Sequence, residues 1–219
     1  MWEDRVLFID AEALVIDKPA GLAVHPGPKT PMSLEAYLNL LRFGFQRPPS
    51  PVHRLDRDTS GCLLLARHAK AHKRFQRAFE EGRVKKSYLA IVDGVPEAEE
   101  GRIEMALRKV SSAEQGWRMV PDETGQKALT LWRRVAVQEN RAAILFRPET
   151  GRTHQIRIHA AAGLGAAIAG DPIYGRSGGP MLLHALSLRL LREGKQPVEA
   201  RAPLPLSFGH AGFGDVCGE

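Results

Sequence analysis

Residues Cys62–Ala66 read "CLLLA", an unbroken apolar run that follows the polar loop "PVHRLDRDTSG" and precedes the basic "RHAK". A run this short, with no polar residue to turn toward water, fits a strand covered on both faces, which demands a sheet with material packed on either side. Other strand-like pieces surround it. "RVLFID" (Arg5–Asp10) and "ALVID" (Ala13–Asp17) are separated only by "AE", which suits a hairpin, and "ALTLWRRVAV" and "RAAILF" meet near "QEN" as a second antiparallel pair. "KKSYLAIVDG" supplies one more strand. The expected class is α+β, with a largely antiparallel, mixed central sheet flanked by helices and loops. The 219 residues suit one large domain or two small ones sharing a sheet. With no internal repeat and no convincing linker, a single domain over 1–219 is the expectation.

Helical patterns are fewer. "KAHKRFQRAFEEG" sets Ala71, Phe75, Ala78 and Phe79 on one face, with Lys70, Lys73, Arg74 and Arg77 on the other and Gly82 as a stop. Ser33 is placed to cap a helix through "LEAYLNLLRF", and Thr153 to cap one through "HQIRIHAAAGL". Between Met105 and Gln126 only "GWRMVP" suggests extended structure. "MLLHALSLRLL" is ambiguous between helix and strand, and the Pro- and Gly-rich tail is expected to be irregular.

Charge is unevenly placed. The chain has 31 Lys and Arg against 25 Asp and Glu, a formal +6. The stretch from Arg54 to Lys86 holds ten of those cations and four anions, so it carries the whole excess while the remainder balances. Such a footprint suits a polyanionic partner, and a solvated helix face gives similar counts. Two cysteines, Cys62 and Cys217, form no framework and fit a reducing compartment. The N-terminus is acidic where a secretory signal needs cations, and no stretch approaches the roughly 20 apolar residues of a membrane span. A soluble, cytoplasmic monomer with no membrane association is the expectation.

Missing motifs narrow the chemistry. There is no phosphate-binding GxxxxGK[ST], no dinucleotide-binding glycine pattern after a strand and no HExxH zinc motif. His154 and His159, five residues apart on a helix, would point about 140° away from each other and make a poor metal pair. In "HRLDRDTSG", by contrast, Asp56 and Asp58 lie among arginines. A carboxylate there stays ionised and suits a nucleophile or an electrostatic partner better than a general acid. "DTSG" serves equally well as plain turn chemistry. In "GRVKKSYLAIVDG", Tyr88 follows Lys85 and Lys86 and can stack on a base while its hydroxyl moves a proton, or can be an ordinary strand aromatic. "ETGRTHQIRIH" gathers Arg152 and Arg157 with Thr153, His154 and Gln155, donors suited to a carboxylate or phosphate.

Taken together, "LVIDKPAGLAVHPG", "HRLDRDTSGCLLLAR", "KKSYLAIVDG", "GQKALTLWRRV", "TGRTHQIRIHAA", "GDPIYG" and "LLHALSL", in this order and spacing, resemble the RluA-type pseudouridine synthases over nearly the whole chain. The resemblance implies that Asp56 is the catalytic aspartate, that Tyr88 stacks on the target base and helps remove a proton, and that Arg157 pairs with the catalytic carboxylate beside the apolar Ile156. It implies Arg54 as the wedge that fills the space of an extruded base. His53, Thr59, Lys85, Lys86 and Arg152 are expected at the substrate. The implied reaction isomerises a uridine in a compact stem-loop of tRNA or rRNA, with no cofactor and no metal. Many relatives carry a small S4-type RNA-binding module, and here the first catalytic strand begins at Arg5, so no such module is expected. Two rival readings are an RNA-binding factor that has lost activity and a metal-dependent nuclease using Asp56 and Asp58.

Overall fold

A computed structural model describes residues 1–27, 30, 32–112 and 116–216. Cys217 and part of the loop "KPAGLAVHPGPKTP" lie outside the described residues. In chain order the strands are β1 (Val6–Ile9), β2 (Ala13–Lys18), β3 (Ser50–Pro51), β4 (Ser60–Ala66), β5 (Val84–Asp93), β6 (Glu100–Glu104), β7 (Leu107–Ser112), β8 (Gly116–Pro121), β9 (Leu129–Gln138), β10 (Arg141–Pro148), β11 (Leu183–Arg192) and β12 (Lys195–Arg201). The helices are α1 (Ala69–Glu80), α2 (Gln155–Ile158) and α3 (Leu206–His210). The class is α+β, as expected. By its internal contacts the chain falls into two compact units, residues 1–86 with 184–203, and residues 87–183 with 204–219. No helix among the described residues is long and apolar enough to cross a membrane.

In the first unit the strand order is β1-β2-β4-β11-β12. All neighbours are antiparallel except β4 and β11, which run parallel where Ser60 meets His184. The "CLLLA" run lies in β4, whose seven residues are all buried. Cys62, Leu64 and Ala66 face Ala71, Phe75 and Ala78 of α1, together with Val15 and Val198. Leu63 and Leu65 on the other face are fully covered too. Burying Phe75 alone contributes about 2–3 kcal/mol. The His68 ring caps α1 by accepting the Ala71 N–H (3.1 Å). The segment Leu34–Leu41 differs from expectation. It winds as a 3₁₀ helix, and the Ser33 side chain caps nothing. Its apolar residues bury only Leu34 and Leu41, too little packing to favour a full α-helix.

The outer face of α1 is partly neutralised. Arg74 pairs with Glu12 Oε1 at 2.6 Å, and Arg77 and Arg83 both grip Glu81. Glu12 also accepts from Lys195 and Arg192. The Arg74 hydrogen bond outweighs the cost of burial and, with Lys195, holds the Glu12 carboxyl down at about 2. Its stabilising contribution is complete above the unfolded value of 4.5 and lost as pH falls through about 2. We predict that Glu12→Gln costs about 2 kcal/mol at pH 7, and that the gap from wild type shrinks in urea titrations at pH 3. A gap independent of pH would contradict this.

In the second unit four antiparallel strands lie side by side in the order β5-β10-β9-β6. One face, carrying Ala90, Val92, Trp132, Ile144 and Phe146, is closed by Ile156, Ala160 and Ile168. The stretch Met105–Gln126, poorly defined in the sequence, contains the hairpin β7–β8, with Leu107 opposite Pro121 and Arg108 opposite Val120. It docks through Leu107 and Met119 onto Ala128 and Ile158. The ambiguous "MLLHALSLRLL" supplies strand β11, and the tail holds α3, which buries Phe208. The expected Thr153 cap is absent. His154 is left-handed (φ 53°), α2 begins at Gln155, and the chain continues as a π-helical turn over His159–Gly163.

Candidate active site

The first unit carries "HRLDRDTSG" as the link from β3 into β4. Val52, Leu55, Thr59 and Ser60 are buried, Arg54 and Arg57 are exposed, and Asp56 is half-buried between them. This alternation follows from the chemistry: the apolar residues anchor the loop, and the charged ones stay at the water boundary. The Thr59 N–H donates to the Asp56 carbonyl (3.2 Å), closing the turn. Gly61 ends it at φ +103°, and a Cβ there would sit 2.2 Å from the Ala185 carbonyl oxygen. Only glycine lets β4 approach β11 so closely. Ser60 Oγ lies 2.8 Å from His184 Nδ1. His53 Nε2 accepts the Leu64 N–H (3.0 Å), and the ring stacks on Phe79 with centroids 4.5 Å apart. Burial, assisted by the Lys86 charge, pushes its pKa down to about 3, so the ring is neutral and free to accept that bond.

Beneath this loop lies Lys18, the last residue of β2, with no exposed surface. Its ammonium donates to the carbonyls of Pro19 (2.8 Å), Leu22 (2.8 Å) and Arg57 (3.1 Å). Burial lowers its pKa to about 8 against the opposing pull of Asp58, Asp56 and Asp17. One buried cation thus ties the residue between the two aspartates to the core. Asp58 itself is held by Arg57, with contacts of 3.0 and 3.2 Å. Lys86 at the start of β5 has its ammonium 5.7 Å from the Phe79 ring centroid, and Lys85 is exposed.

The second unit carries a separate constellation. Tyr88 on β5 is half-buried, pairs with Phe146 across the ladder, and packs against the cluster that contains Ile156. Arg157 on α2 is 5% exposed and forms a fork with the fully buried Asp171, Nε to Oδ2 and Nη2 to Oδ1 both at 2.7 Å. Asp171 Oδ1 also accepts the N–H groups of Ile173 and Tyr174. Burial alone would raise the Asp171 pKa. The Arg157 bonds and charge and the two amides overcome that and hold it below the usual carboxylate range. The Tyr174 ring lies 5.2 Å from the Arg157 guanidinium, and its hydroxyl accepts the Met119 N–H and lies 2.9 Å from His154 Nδ1. Gln155 pins the segment by accepting from the Arg152 N–H and donating to Thr130 and Leu129. The Arg152 side chain is exposed and reaches the Lys127 carbonyl (3.1 Å).

A sequence profile of the RNA pseudouridylate synthases matches residues 12–162, which span Lys18, the Asp56 loop, Tyr88 and Arg157. The chain is 56% identical over 213 residues to an uncharacterised RNA pseudouridine synthase of Zymomonas mobilis, covering 95% of this chain and 97% of that one. It belongs to the RNA pseudouridine synthase family. A ribosomal large subunit pseudouridine synthase D of the same organism is 37% identical over 180 residues, 79% of this chain and 56% of that protein. Among solved structures, human RNA pseudouridylate synthase domain containing 4 shares the fold, with a TM-score of 0.81 at 24% identity over 96% of this chain and 92% of that one. Human RNA pseudouridylate synthase domain containing 1 gives 0.75 at 27%, covering 93% and 84%. Pseudouridine synthases are isomerases acting on RNA, and so is this chain.

The residues singled out in the sequence fall into two groups. His53, Arg54, Asp56 and Thr59 share one loop of the first unit, which also holds Lys85 and Lys86. Tyr88, Arg152, Ile156 and Arg157 belong to the second. Of this set His53 ties the loop to β4 by accepting the Leu64 N–H, and the Thr59 backbone N–H closes the turn on the Asp56 carbonyl. Lys18, Asp171 and Tyr174 have no role assigned in the sequence reading, although each lies inside a quoted motif. A lysine ending a strand that opens on the apolar run Ala13–Ile16 was the available signal for the first.

Proposed function

We propose that this pseudouridine synthase acts on a specific uridine in a structured tRNA or rRNA, with Asp56 as the catalytic carboxylate. The observation that carries this reading is the loop around Asp56: a half-buried carboxylate on a turn closed by Thr59 and tied down through Arg57 by the buried Lys18. Such preorganisation is what a residue needs if it must meet one atom of a substrate. A relative named for the ribosomal large subunit favours rRNA.

The chemistry balances without redox change. The N1–C1′ bond breaks, the uracil turns, C5 bonds to C1′, N1 takes up a proton and the C5 proton leaves. Asp56 engages the nucleotide as nucleophile or as the anion that stabilises the cleaved sugar. Tyr88 stacks on the base and assists loss of the C5 proton, Ile156 forms the apolar wall near it, and Arg157 supplies positive charge to the reacting groups. Lys85, Lys86 and Arg152 hold phosphates, and the enzyme works in the cytoplasm as a monomer. RNA carrying 5-tritiated uridine tests this directly, because isomerisation must release the label to water. Label retained with both tRNA and rRNA would overturn the proposal.

A stacked uracil cannot reach a pocket, so the nucleotide is extruded at a cost of about a few kcal/mol. The exposed Arg54 is the proposed wedge. Arg54→Ala should lower the single-turnover rate about tenfold with a smaller change in RNA affinity; an unchanged rate would remove it from that role.

A further inference from the structure

We infer that Asp171 is a positioning residue for the reaction, fixing the Arg157 guanidinium in one orientation, with the Tyr174 ring as its second support. The inference rests on the proposed role of Arg157. A four-residue helix gives an arginine little guidance, and a long side chain that ends at a reacting centre has several rotamers to choose from. Here the choice is removed. Both Nε and Nη2 are bonded at 2.7 Å to a carboxylate with no exposed surface, so the direction of the remaining Nη1 edge follows from Asp171. The carboxylate is itself fixed by two backbone amides in its own turn, those of Ile173 and Tyr174. That turn delivers the Tyr174 ring beside the guanidinium, and the Tyr174 hydroxyl is bonded in turn to Met119 of β8. A pair that served only stability would not need this registration against a third and a fourth group.

Asp171→Asn is the informative change, since an amide oxygen can still accept from Ile173 and Tyr174 while the charged fork is lost. The expected result is a fall in kcat of about 30-fold or more with the Kd for RNA within about twofold of wild type. In an Arg157→Ala background, adding Asp171→Asn should cost almost no further activity, because its effect is transmitted through the arginine. Independent, multiplicative losses would overturn the inference, as would wild-type kcat in Asp171→Asn when Arg157→Ala is inactive. Full activity in Arg157→Ala would instead remove the underlying role of Arg157. Should Asp171→Asn fail to fold, the wild-type protein still decides: the Arg157 Nε–H resonance, assigned by its absence from Arg157→Lys, should exchange slowly with solvent, and fast exchange would overturn the inference.

Discussion

Asp56→Asn should abolish uridine isomerisation, with a loss of at least about 10³-fold in single-turnover rate, while RNA binding is retained. The two side chains have the same shape, and the turn that holds the residue uses the Asp56 backbone carbonyl, which the substitution does not touch. The change therefore isolates the charge and nucleophilicity of the carboxylate. A thousandfold corresponds to about 4.1 kcal/mol of transition-state stabilisation, within what one nucleophilic or charge-stabilising group supplies. Binding should be equal or tighter, because one negative charge leaves a surface that must accept phosphates. Filter binding and tritium release on the same preparation separate the two effects. Activity within tenfold of wild type would remove Asp56 from the mechanism, and a parallel collapse of affinity would point to a fault in the fold.

Lys18→Met should be the most destabilising single change near the site, costing about 3 kcal/mol at pH 7. It keeps the stem's volume and leaves the carbonyls of Pro19, Leu22 and Arg57 without the donor they share. The loss of the charge partly offsets that cost, since the ammonium pays for its burial: its pKa is pulled from 10.5 down to about 8. The sign of the pH dependence follows. Between about 8 and 10.5 the unfolded chain holds more protons than the folded one, so this group makes wild-type stability rise with pH, a rise that Lys18→Met lacks. Denaturant titrations from pH 7 to 10 should show the gap between the two proteins widening. A constant gap, or a variant as stable as wild type, would refute the role given to Lys18. The catalytic rate should fall as well, because the Arg57 carbonyl tethers the residue next to Asp56.

Much of this fold is legible in local pattern. The "CLLLA" run had to be covered on both faces, and it is; the 71, 75, 78 and 79 stripe marked α1, of which Ala71, Phe75 and Ala78 are fully buried. Legibility fails where structure depends on distant partners. Among its described residues the β7–β8 hairpin buries only Leu107 and Met119, too few apolar residues to register as a period, and its seating comes from Ala128 and Ile158. The left-handed His154 is held by the Tyr174 hydroxyl and by stacking on Trp117, neither of which a local cap rule anticipates. Asp56, Tyr88 and Arg157, whose roles are proposed above, stand out in the sequence because a motif surrounds each. The groups that hold the site in shape were not. Lys18 meets Arg57 across 39 positions and Arg157 meets Asp171 across 14, and nothing in the spacing of charges marks those pairs among many alternatives.

The most direct measurement is a map of pseudouridines in total RNA from cells that lack this gene and carry either the wild-type chain or Asp56→Asn. The account predicts at least one uridine, in tRNA or rRNA, that becomes pseudouridine with the wild-type chain and remains uridine with Asp56→Asn. Identical maps from the two strains, with both proteins present at equal levels, would contradict it.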